Sequence, residues 1–117
     1  MAWLMRDAEV LASLEIATTR RDRAKGLLGR DGLDGALLIE RARSVHTFGM
    51  RFPIDVLFVS ADGSVIKIVE ELGAWRMAGS LQACITVELP TGSVRRHHVM
   101  TGDRLSIQSR VSTSAQR

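Results

Sequence analysis

Apolar and polar positions alternate with a period of two along much of this 117-residue chain. Val10, Ala12, Leu14 and Ile16 interleave with Leu11, Ser13, Glu15 and Ala17, the pattern of a half-buried strand. A brief apolar strand is predicted over 36–39, with a charged turn over 40–43, and a further extended run over 45–52. Pro53 then holds Phe52 extended and removes one ladder donor. Strands over 54–60 and 65–72 flank Ala61-Asp62-Gly63, and Asp-Gly between β-branched runs predicts a hairpin. Alternation returns over 84–89, Pro90-Thr91-Gly92 turns the chain, and a strand over 104–108 follows Gly102-Asp103. The segment 73–82 has two glycines and no period, so it reads as a long loop of the kind that carries function.

One stretch has helical spacing. Thr19 with Asp22 three residues on resembles a capping box, Ala24, Leu27 and Leu28 form an apolar stripe, and Gly29 ends it. Short strands at regular spacing with one short N-terminal α-helix predict a mainly β fold, a sandwich or partly closed barrel. The expected organisation is one domain over 1–108 and a flexible polar tail over 109–117.

Composition narrows the function classes. The pI of about 10 suggests nucleic acid, but it arises from a net charge of only +3 with no tyrosine and one cysteine to titrate above neutrality. The basic patch of Arg20, Arg21, Arg23 and Lys25, with Arg30 beyond, has no interleaved aromatics for base stacking, which argues against nucleic acid. It reads as a solvated helix face, and as the candidate surface for an acidic protein partner. Cys84 excludes an intrachain disulfide and reads as a small buried hydrophobe among Ala83, Ile85 and Val87. The N-terminus has no export-signal pattern and no apolar run reaches the ~20 residues of a membrane span, so a soluble cytoplasmic protein is expected.

The chemistry-bearing residues gather between Ser44 and Ser60. On an extended 46–52, His46, Phe48, Met50 and Phe52 share one face, with His46 as a ligand contact, a general base or a core histidine. Asp55 lies in a strand apolar on both sides, so it needs a cation or several N–H donors. Arg51, His46 and Arg76 are the candidate partners, and its role is either a bracket at the proline bend or a ligand contact. Glu88 alternates with Val87 and Leu89 and is the candidate second carboxylate for acid–base chemistry. His46, Asp55 and Glu88 do not have the spacing of a local metal motif, and adjacent His97 and His98 would point apart on a strand, so neither metal nor cofactor is expected. No nucleophile elbow or phosphate loop is present. Trp75, beside Arg76 and Met77 between glycines, is a hydrophobic lid or a stacking platform for a sugar or other flat ligand.

Gly26-Leu27-Leu28 with Arg30, His46-Thr47-Phe48-Gly49-Met50 into Pro53-Ile54-Asp55, Asp62-Gly63, Val87 to Gly92, and Gly102-Asp103 together resemble the family called domain of unknown function 192. The resemblance implies a jelly-roll-like β-sandwich, in bacteria or archaea, with no established activity. Many relatives carry an export signal or lipoprotein anchor, and the commoner form has a tryptophan and an asparagine where this chain has Gly49 and Arg51 or Phe52.

The sequence therefore points to a small-molecule binding or accessory module, its ligand carbohydrate-like, with a cleft lined by His46, Met50, Arg51, Asp55, Trp75, Arg76 and Glu88. The alternatives are a hydrolase using Asp55 with Glu88 or His46, and a protein-interaction module acting through the basic helix over 20–30.

Overall fold

The computed structural model describes residues 2–17, 32–48 and 50–109. The predicted helix, with its cluster of basic residues, and the tail beyond Ser109 lie outside the described residues. Among the described residues nine strands and one short helix follow in order: β1 Ala2–Arg6, β2 Glu9–Ala17, β3 Ala36–Glu40, β4 Ser44–His46, β5 Ile54–Val59, β6 Val65–Leu72, β7 Met77–Gly79, β8 Ile85–Pro90, α1 Ser93–His97 and β9 Leu105–Ser109. Seven strands form one sheet in the order β6-β5-β8-β3-β2-β1-β9, while β4 and β7 form a separate ribbon. All neighbours are antiparallel except β2 and β3.

Strands β3, β5 and β8 form the middle of the sheet and are buried on both faces, which is why β3 and β5 read as largely apolar runs. On one face Leu57, Val59, Val87 and Leu38 pack with Leu4 of β1 and Leu105 of β9. Strands far apart in the sheet thus meet in one cluster, so the sheet curls around this face. Its edges touch through a bridge between Ser64 and Arg104 and the amide of Leu105 donating to Gly63 (2.8 Å), without closing into a barrel. Val94 and Val99, in and beyond α1, join the same cluster. On the other face Ile54, Val56, Phe58 and Leu37 pack with Val45 of the ribbon and Met50 after it.

The Asp62-Gly63 hairpin forms as its turn chemistry requires. Gly63 has φ of 91°, and a Cβ there would lie 2.7 Å from the Leu105 carbonyl oxygen, so this position needs glycine both for conformation and for the contact that joins the edges. The Ser60 hydroxyl and the Ser64 amide both donate to the Asp62 carboxylate and hold its pKa down at about 2, the hydroxyl contributing most.

Four expectations are corrected. The extended run over 45–52 stops at His46: the Met50 amide donates to the Thr47 carbonyl (3.1 Å), and this turn sends Met50 into the core while leaving Phe48 outside. The loop over 73–82 contains β7, paired to β4. Cys84 is exposed, because β8 begins one residue later and Cys84 is in the approach to it. His97 and His98 end a helix rather than sit in a strand. Strand β1 carries no alternation in Trp3-Leu4-Met5, so nothing in its pattern announced a strand between β2 and β9.

Candidate functional site

The sequence placed Asp55 and Glu88 together in one cleft as a candidate acid–base pair, and strand register separates them. Across β5 and β8, Asp55 faces Leu89 and Val56 faces Glu88. Directly opposed residues share a face and successive residues do not, so the two carboxylates lie on opposite faces of the sheet. They form no acid–base pair.

Asp55 is fully buried, and its partners are backbone amides. Oδ1 accepts from Glu71 and Oδ2 from Val94, both at 2.9 Å. Each donor has a reason to need it. The pairing of β5 with β6 slips by one residue between Ile54 and Val56, a bulge that takes Glu71, with φ of 53°, out of the ladder. Val94 is in the first turn of α1, where amides have no intrahelical acceptor and Gly92 offers no side-chain cap. One carboxylate thereby ties β5 to the end of β6 and to α1, the bracket role. Glu88 is 3% exposed in the centre of the sheet between Leu37 and Val56.

The exposed chemistry is on the ribbon. Val45 points inward while Ser44 and His46 point out, and His46 pairs with Met77 of β7, 67% exposed. Rings continue from there: His46 lies 5.1 Å from Phe48, and Phe48 stacks on Trp75 at 5.7 Å with 24° between planes. Trp75 is 68% exposed and has φ of 62°, a left-handed conformation that a bulky residue adopts only under constraint.

The constraint is Thr47, which the sequence reading passed over. Its side chain is fully buried, its hydroxyl donates to the Gly73 carbonyl, and the Arg76 amide donates to that hydroxyl at 2.8 Å. Its backbone amide donates to the Arg76 carbonyl (2.8 Å), and its carbonyl accepts from Trp75 (3.1 Å). One residue thus pins the 73–76 loop at four points and fixes the indole facing outward. The signal available in sequence was a threonine between two aromatic-face residues. Arg51 and Arg76 are exposed on the chain flanking this platform, and Met50 lies beneath in the core.

A second polar cluster is structural. The Arg6 guanidinium donates to Glu9 (2.7 Å), to Asp103 (3.0 Å), and to the His97 (2.7 Å) and His98 (3.2 Å) carbonyls at the end of α1. Positive charge there complements the helix C-terminus. Arg6 holds the Glu9 carboxyl below its ordinary range, whereas the Asp103 carboxyl is held down first by the Met100 amide and then by Arg6. Among the described residues no group of three His, Cys, Asp or Glu is placed to hold a metal ion, and no helix is long and apolar enough to cross a membrane.

Comparison with known proteins gives a family and a fold. The family model DUF192, described as Uncharacterized ACR, matches residues 3–107. A protein of unknown function from Novosphingobium aromaticivorans superposes with a TM-score of 0.77 at 20% identity, over 90% of this chain and 82% of that one. A proposed transcription regulator from Sinorhizobium meliloti superposes with a TM-score of 0.76 at 26% identity, over 90% of each chain. No curated protein matches.

Proposed function

We propose, on the premise that this chain belongs to the DUF192 family across residues 3–107, that it is a small-molecule binding module whose ligand stacks on the His46–Phe48–Trp75 platform. The observation that carries this reading is a tryptophan 68% exposed whose left-handed backbone is held by hydrogen bonds to a fully buried threonine. Exposed aromatic area presented rigidly loses little entropy on binding, and an aromatic face suits the flat apolar side of a carbohydrate-like ligand. Arg51 and Arg76 provide polar groups at its margin. The scaffold we infer is the jelly-roll-like sandwich of the family resemblance, in a bacterial cytoplasm.

The placement of Asp55 and Glu88 on opposite faces supports binding over hydrolysis by that pair. Titrating mono- and oligosaccharides into the protein while following tryptophan fluorescence tests the reading. A saturable change is expected that Trp75→Ala abolishes and Trp3→Phe retains. Affinity undiminished in Trp75→Ala, or no ligand-dependent change in the parent chain, overturns it.

A further inference from the structure

Charge is unevenly distributed around the ribbon. The segments 41–54 and 73–84, which hold both ribbon strands and the aromatic platform, carry Arg41, Arg43, Arg51 and Arg76 and no Asp or Glu. At the chain's average of 13 acidic residues in 117, segments of this length hold about three. Carboxylates on adjoining elements do not offset the excess. Asp55 is fully buried with both oxygens taken by amides, and Glu88 is 3% exposed. Glu40, Glu70 and Glu71 are exposed nearby along the chain, yet among the described residues the ion pairs join Arg6 to Glu9 and Asp103, His97 to Glu9, and Arg104 to Asp62. Arg41, Arg43 and Arg76 enter none of these pairs. The Lys67 ammonium donates to the Gly79 carbonyl (2.7 Å) and brings a further cation against β7.

Arg76 is the cation whose place is fixed. It follows Trp75 directly, its amide donates to the Thr47 hydroxyl (2.8 Å), and its carbonyl accepts from the Thr47 amide (2.8 Å), while its side chain is exposed. We infer that the ligand stacked on this platform, granted the reading proposed above, is an anionic saccharide, a sugar ring whose carboxylate or phosphate ester is received by the Arg76 guanidinium. A guanidinium has five N–H donors and no acceptor, and its fork matches the oxygens of those two anions. The hydroxyls of a neutral sugar need acceptors as well, and no side-chain carboxylate in either segment supplies one. Positive charge without a partner also draws an anion toward the stacking face.

Three probes that differ only at one carbon of the same ring test this with the full chain: glucose, glucuronate and glucose 6-phosphate, titrated at neutral pH while tryptophan fluorescence is followed. At least one of the two anions is expected to bind about tenfold more tightly than glucose, and their ratio separates carboxylate from phosphate. Arg76→Gln, at an exposed side chain, is expected to remove that preference with an unshifted melting temperature, whereas Trp75→Ala removes the response to all three. Raising the salt from about 0.01 to 0.1 M shortens electrostatic reach from about 30 to 10 Å and is expected to weaken the anion and leave glucose unmoved. Glucose bound as tightly as both anions overturns the charge inference while the stacking platform stands. A preference that survives in Arg76→Gln, or one indifferent to salt, overturns it too. Silence toward all three sugars removes the platform reading and this inference with it.

Discussion

Removing the Asp55 carboxylate separates a bracket from a ligand contact. In Asp55→Ala the amides of Glu71 and Val94 both lose their acceptor, and the site is sealed at 0% exposure, so water does not replace it without local opening. A buried donor left unsatisfied costs about 1–3 kcal/mol, so two cost about 2–6 kcal/mol. That is a large part of the roughly 5–15 kcal/mol that holds a domain folded. With a urea dependence of about 2 kcal/mol per molar, the unfolding midpoint falls by about 1–3 M. Asp55→Asn keeps one oxygen and turns an NH₂ group toward the other amide, so it loses about half as much. Hydrogen exchange adds a local readout: the Glu71 and Val94 amides are expected to exchange slowly in the parent and to accelerate most in the variants. An unfolding free energy for Asp55→Ala within about 0.5 kcal/mol of the parent, or fast exchange at both amides in the parent, would refute the bracket.

The remaining predictions concern the closure of the sheet and its charges. Gly63→Ala places a Cβ against the Leu105 carbonyl at positive φ, and thermal melts should show a loss of about 1–3 kcal/mol; an unchanged melting temperature contradicts the steric account. Arg6→Ala strips charged hydrogen bonds from two carboxylates and two helix-end carbonyls, with an expected loss of about 1–3 kcal/mol in urea unfolding, and Arg6→Lys restores only part because an ammonium lacks the planar fork. Asp62 has a folded pKa of about 2 against an ordinary 3.8, so its contribution is complete above pH 4 and is lost as pH falls toward 2. Urea midpoints across that range should decline less steeply in Asp62→Asn, and parallel profiles would remove Asp62 as a cause.

Local chemistry made much of the fold legible. Alternation over 10–17 and 84–89 became β2 and β8, the apolar run over 36–39 became β3, and Asp62-Gly63 joined β5 to β6. These features depend on neighbours within a few residues, so sequence records them. The site was legible in one part: Trp75 was read as a stacking platform or lid, while Phe48 and Thr47, which stack on it and hold it, were not singled out as a pair with it. The turn at Thr47 to Met50 separates Phe48 and Met50, which alternation places on one face, sending Met50 into the core and leaving Phe48 outside, an outcome decided by a hydrogen bond that no period encodes.

By itself, then, the sequence determined β2, β3, β5, β6, β8 and β9, the hairpin and the burial of Asp55, because apolar patterning and turn residues act locally. Tertiary structure alone decided what Asp55 meets, that Glu88 lies on the opposite face, and that His46, Phe48 and Trp75 join across 29 residues of chain from Thr47 to Arg76. The physical reason is register. A strand fixes which side chains alternate, but only its pairing with partners distant in sequence fixes which face each one shares and with whom.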